Sequence, residues 1–282
     1  MTVEILNQIP NQDLKDEMMQ INVLQVVMVC LSPERFSMAQ IFVNNALWVL
    51  LRLYESKAKS VVSTAKAALN QLFSHVVNDL IKWTGDNTNE EIKTASDDKM
   101  SKSDDSRQCG PNLEVCKSLI KGLVSHLDPK KKSDWPVVAS NSTTALALDL
   151  MALVISEGKK KLAEFREIMI VLDEAFDPLL NQITSMKNNF IISIRLINWI
   201  TLFAVYLECG LEPLTSWCIT FVNIRANNWQ KLIAFEAFAL VFNSKSLVKN
   251  LSESNEQYCL ANIFKVFEQN LASIQEPIYD DM

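Results

Sequence analysis

The run SVVSTAKAALNQLFSHVVNDLIKW, residues 60 to 83, decides the fold class. Val62, Ala65, Leu69, Leu72, Phe73, Val76, Val77 and Leu80 recur at steps of three and four, which aligns them on one face of an α-helix. Lys66, Asn70, Ser74 and Asn78 fall on the opposite face. Neither Gly nor Pro interrupts the run. The pattern predicts a long helix that buries one stripe and offers the other to solvent or to a partner.

Working outward, the same period returns along the chain. Asp13 to Leu31 reads as a helix with Met18, Ile21, Leu24, Gln25, Met28 and Leu31 on one stripe, closed by Pro33. Ser37 to Tyr54 follows, apolar at Ile41, Ala46, Leu47, Leu50, Leu51 and Tyr54. Beyond residue 111, Leu113, Cys116, Leu119, Ile120, Leu123 and Val124 form an amphipathic helix that stops at Asp128-Pro129. Thr143 to Ser156 begins with Ser/Thr capping residues, and Gly158 reads as a C-terminal stop. Helices are further expected over Glu164–Asp177, Asn188–Glu208, Leu214–Ile224, Trp229–Phe242 and Gln257–Ile274.

Between the third and fourth helices the composition changes. Residues 85–111 are rich in Asp, Ser, Lys and Thr and nearly free of apolar side chains. Such a segment cannot offset its chain entropy by burial, so it is expected as a disordered acidic, Ser-rich loop. The expected organisation is helices over 1–84, the loop at 85–111, further helices over 112–274 and a flexible tail at 275–282. The fold class is all-α: an armadillo/HEAT-like helical-hairpin solenoid of roughly nine or ten helices. An irregular bundle is the structural alternative.

Composition narrows the function. Hydrophobic residues make up 49% of the chain against five Gly and eight Pro, a balance that suits long helices and not a sheet with many tight turns. The net charge of −6 leaves no basic surplus for nucleic acid. Lys130–Lys132 and Lys159–Lys161 are short runs that read as solvated loops or helix ends. Six cysteines, four of them within apolar helical runs, do not form a secreted disulfide framework, and no signal peptide precedes them. A cytoplasmic protein is expected. Phe190–Leu207 is long enough to span a bilayer. Arg195 within it would cost about 2.5–3.5 kcal/mol near a bilayer centre, so a buried core helix is the expected reading.

The motifs of chemistry are missing. Gly158-Lys159 lacks the rest of a Walker A loop, and no G-x-G-x-x-G, H-E-x-x-H or G-x-S-x-G occurs. His75 reads as a surface partner of Asp79 one turn on, and His126 as the close of its helix. Cys109, Cys116 and His126 fit no zinc spacing. No catalytic residue, metal ligand or cofactor is assigned. Trp48, Trp83, Trp199, Trp217 and Trp229 lie on or beside apolar faces. Trp229 opens its helix after Asn227-Asn228, where a Trp can anchor a partner.

Several stretches resemble the dimerisation/cyclophilin-binding region and the start of the homology-upstream-of-Sec7 region of Mon2 and the BIG-type Arf exchange factors. They are Ile21–Leu31, which looks like the family's helix before an apolar helix of the Ile41–Tyr54 type, and above all Ser63–Phe73. There Thr64-Ala-Lys-Ala-Ala-Leu-Asn-Gln71 is similar to the family's Thr-Ala-x-Ala-Thr-x-x-Gln run. The 85–111 loop falls where the family carries a long variable insert, and Ala145–Ile155, Asn188–Leu207 and Trp229–Phe242 keep the family's helix order. Glu256–Phe264 resembles the segment of the Asn-Tyr-Asp-Cys-Asp box, of which only Tyr258 and Cys259 are kept. The Sec7 domain and its Arg-Leu-Pro-Gly-Glu loop are absent, so the resemblance implies no nucleotide exchange by this chain. It implies a non-catalytic regulatory scaffold in Golgi–endosome vesicle transport, peripheral to those membranes. Its partners would be a Mon2-type large protein, an Arf/Arl GTPase or a second copy of itself. A diverged α-solenoid adaptor in a nuclear or cytoskeletal complex is the alternative. The expected partner surfaces are the polar face of the third helix (Lys66, Asn70, Gln71, Asn78) and the turn carrying Trp229 and Lys231.

Overall fold

The 60–83 run is the middle of a helix that organises everything around it. The computed structural model describes residues 16–33, 35–36, 39–94, 111–128, 135–174, 189–207, 227–245 and 248–249, with isolated positions at 261, 265 and 268. Regular structure among them is helical throughout. The helices are α1 (Glu17–Cys30), α2 (Gln40–Tyr54), α3 (Lys59–Thr94), α4 (Pro111–Leu127), α5 (Asn141–Leu162), α6 (Phe190–Leu207) and α7 (Asn228–Asn243), with a further helical run at 166–174. The chain divides into two compact units, Met1–Phe176 and Asp177–Met282.

In the first unit α3 touches α1, α2, α4 and α5. It buries Val61, Ala65, Ala68, Leu69, Leu72, Phe73, Val76, Val77 and Leu80. At about 1.5 Å per residue it is the longest rod of the unit. Among the described elements, helices in substantial contact are never more than two apart in chain order. That near-neighbour pattern is the packing of stacked helical hairpins, the armadillo/HEAT-like arrangement expected from the sequence.

α3 runs on to Thr94, so residues 85–94, expected as loop, extend the helix. Once a helix is nucleated each further residue adds a hydrogen bond cheaply, and Glu90, Glu91 and Lys93 are good helix formers. Pro111 opens α4 at the first helical position, where its missing N–H is no loss. α5 is capped by Ser140, whose Oγ accepts from the Thr143 N–H at 3.2 Å while Thr143 Oγ1 accepts from the Ser140 N–H at 2.8 Å. The helical run of α5 breaks just past Gly158, where the stop is expected: Lys159 holds φ 47° and ψ −140°, and a short helical turn continues to Leu162.

In the second unit α6 packs on α7. α6 is long and apolar enough to cross a bilayer. Here it buries Leu196, Trp199, Ile200, Phe203 and Ala204, and Arg195 donates to the Ile191 carbonyl at 3.2 Å. α7 opens with the Gln230 side chain accepting from the Asn227 N–H at 2.9 Å. The expected helix at Leu214–Ile224 and most of that at Gln257–Ile274 lie outside the described residues. So do Lys130–Lys132, the Tyr258-Cys259 pair, the 275–282 tail, and the Trp83 and Trp217 side chains.

Candidate interaction surface

The polar face of α3 is half-buried and carries contacts of its own. Lys66 Nζ donates to Asp149 Oδ2 on α5 at 2.7 Å. Gln71 Nε2 donates to the Leu31 carbonyl at the end of α1, 3.1 Å away, and meets His75 Nε2 at 3.3 Å. Asn78 Nδ2 donates to Ser74 Oγ at 3.3 Å, and Asn70 is half-buried. Lys66 and Gln71 thus meet groups on neighbouring helices while keeping part of their surface in solvent. His75 stacks on Phe36 at 4.9 Å between centroids, and Asp79 pairs with Lys82 at 3.7 Å, so the expected His75–Asp79 pair is replaced.

The second expected surface lies in the other unit. Trp229 is half-buried with its ring edge against Phe190, centroids 5.2 Å apart. Lys231 is only 6% exposed, its stem drawn into the unit. Of the six expected residues, Lys66, Asn70, Gln71 and Asn78 lie in the first unit and Trp229 and Lys231 in the second; five are half-buried and Lys231 is buried.

An exposed apolar surface of the first unit is on α1. Of the expected stripe, Leu24 and Leu31 are buried, in company with Val27 and Cys30, whereas Ile21 and Met28 are half-buried and Met18 and Gln25 exposed. Met18 is 65% exposed and Val29 48%, with Met19 and Val26 beside them. Because α1 is apolar on nearly every face, period alone could not say which stripe goes in. A groove of about 490 Å³ runs between this face and the first turn of α3, lined by Ile21, Gln25, Met28 and Thr64 among others. Asp16 and Glu17 lie exposed at the start of α1, and Lys57 and Lys59 on the α2–α3 turn and the start of α3. Hydroxyls pin α1 from below: Ser56 Oγ donates to Gln20 Oε1 at 2.7 Å, and Ser60 Oγ to Glu17 Oε1 at 3.4 Å.

Chemistry has less to work with. Cys116 is buried without a charged neighbour to stabilise a thiolate, and its pKa is pushed up to about 12. Among the described residues no three His, Cys, Asp or Glu side chains converge as metal ligands would. His126 is buried and stacked on Trp135, centroids 4.7 Å apart. Burial pushes its pKa down. Trp135, which the sequence places in a polar connection, is thereby a core residue.

Residues 2–82, spanning α1, α2 and most of α3, match the Mon2/Sec7/BIG1-like dimerisation and cyclophilin-binding domain. This N-terminal segment is similar to that domain. The Mon2/Sec7/BIG1-like match thus holds both the outward α1 face and the Thr64–Gln71 run. No curated protein matches the chain. Among solved structures, the chain is similar to a designed armadillo repeat protein, YIII(Dq)4CqI, at 14% identity and a TM-score of 0.44, over 97% of this chain and 100% of that one. A second, the designed armadillo repeat protein YIII(Dq.V1)4CPAF in complex with peptide (KR)4, gives 17% identity and a TM-score of 0.38 over 95% and 97% of the two chains.

Proposed function

We propose that this chain is a non-catalytic regulatory scaffold in Golgi–endosome vesicle transport, working from the cytoplasmic side through helix-surface contacts with protein partners. The observation that carries the reading is the outward apolar face of α1, lying within the segment matched to a dimerisation domain. A contiguous apolar patch bordered by polar residues is what a protein interface needs. The patch has acidic residues at the start of α1 and lysines on the adjoining α2–α3 turn. A surface carrying both signs can meet its own copy across a two-fold axis. A second copy of the chain is therefore the first occupant, with a Mon2-type large partner or an Arf/Arl GTPase as further contacts.

Sedimentation of the full chain tests this directly. Wild type should dimerise with concentration, and Val26→Asp with Val29→Asp should stay monomeric while keeping the helical circular dichroism. A wild type that is monomeric throughout would end the self-association reading. Proximity labelling in native cells tests the pathway: Golgi and endosomal trafficking factors should be enriched. Enrichment of a nuclear or cytoskeletal compartment would favour the diverged-adaptor reading.

A further inference from the structure

We propose that the groove between α6 and α7 is a second docking site, for an amphipathic helix of a partner protein that carries a basic residue opposite Glu236. The groove belongs to the second unit and is independent of the α1 face. It encloses about 390 Å³, walled by Ile194 and Ile197 on α6 and by Leu232 and Leu240 on α7. From Leu232 to Leu240 it extends about 12 Å at helical rise. Its one charged lining residue is Glu236, which is exposed.

Two observations point to an occupant and to its kind. Thr201 lines the groove while only 1% exposed, and its Oγ1 makes no hydrogen bond among the described residues. A buried hydroxyl left unpaired costs stability, and an occupant bringing a polar atom to it removes that cost. The apolar surface also outruns the groove. Leu232 is 63% exposed, and Phe190 and Ile191 on the first turn of α6 are exposed as well. A small molecule filling the groove would leave Phe190 and Ile191 bare. A helix with anchors at i, i+3, i+4 and i+7 covers the whole strip and sets a cation over Glu236.

The test is selection of phage-displayed single-helix peptides on the immobilised full chain. Enriched sequences should share the apolar spacing and a Lys or Arg at one fixed position. A synthetic peptide from that pool, followed by fluorescence anisotropy, should bind about tenfold more weakly to Glu236→Lys, and a Glu at the peptide's basic position should restore binding. Thr201→Val removes the unpaired hydroxyl, so the variant should melt no lower than wild type yet bind the peptide more weakly. Hydrogen exchange should show protection on α6 and α7. The proposal is overturned by no enrichment, by enriched peptides without a basic preference, or by affinity indifferent to Glu236→Lys. It is equally overturned if a photocrosslinker at position 232 captures a second copy of this chain in place of the peptide.

Discussion

The side-chain amide of Gln71 ties the middle of α3 to the end of α1 by donating to the Leu31 carbonyl at 3.1 Å. That carbonyl belongs to the C-cap of α1, where helix carbonyls lack intrahelical partners. The same amide nitrogen faces His75 Nε2, so the Leu31 bond fixes the imidazole nitrogen as an acceptor. Gln71→Leu keeps the bulk and removes the donor. Urea unfolding should show a loss of about 1–2 kcal/mol. Amide exchange should quicken across α1 and leave α4 and α5 as they were. Unchanged exchange on α1 would mean that apolar packing alone docks the helix.

His126 makes the first unit sensitive to mild acid. Its ring is buried against Trp135, and loss of hydration holds its pKa below the ordinary imidazole value of 6.5. Above pH 6.5 the ring is neutral in both folded and unfolded chains and does not affect the balance between them. As pH falls below 6.5 the unfolded chain takes up the proton first, so stability drops until the folded-state pKa is passed. Thermal melts between pH 7.5 and pH 5 should show this decline. His126→Phe preserves a stacked ring without the proton and should flatten the curve. An equal decline in the variant would assign the effect to other groups.

Gly122 makes room for the same indole. A Cβ placed there would stand 3.0 Å from Trp135 Nε1, closer than ordinary contact. Gly122 lies within α4, where an alanine would otherwise favour the helix by about 1 kcal/mol. The crowding should outweigh that preference, since overpacking a core costs about 1–3 kcal/mol. Gly122→Ala should therefore lower the unfolding midpoint and shift tryptophan emission to the red as Trp135 lifts away. A stabilised variant with unchanged emission would show that the indole can slide.

The sequence made the helices legible wherever period and caps agreed. α3, α4 and α5 were readable because their apolar stripes recur at helical spacing, and α5 also because Ser/Thr capping residues precede it; Pro111, placed in the expected loop, is instead the first residue of α4. Facing was harder to read. α1 is apolar on almost every side, so its period places Leu24 and Leu31 inside correctly but also takes in the exposed Met18 and misses the buried Val27 and Cys30. The polar stripe of α3 was legible, but its partners were not. A polar stripe usually marks solvent, but a central helix turns it toward its neighbours, and Lys66 and Gln71 find partners on α5 and at the end of α1. Asp149 and the Leu31 carbonyl lie far from them in sequence, beyond the reach of any local pattern. Trp135 was missed for the same reason, since its seat on Gly122 and His126 exists only once the chain folds back.

The kink in α5 inverts a rule of helix ends, and a pair of substitutions can show it. A glycine after a helix normally supplies the left-handed residue, yet the positive φ of 47° falls on Lys159, one place later. Gly158 serves a different need: a Cβ there would lie 3.0 Å from Leu162 Cβ and 3.2 Å from its Cδ1. A side chain at φ 47°, ψ −140° is strained by about 1–3 kcal/mol. Lys159→Gly relieves that strain at a smaller cost in unfolded-chain entropy. It should stabilise the first unit by about 1 kcal/mol, raising its melting midpoint by a few degrees. Gly158→Ala should do the reverse, because Leu162 is fully buried and its Cβ is fixed to the backbone, so it cannot swing aside. Opposite signs at adjacent positions would establish that the strain sits on Lys159 and the close packing on Gly158. A destabilised Lys159→Gly would mean that the lysine backbone rests comfortably there and that the kink stores nothing.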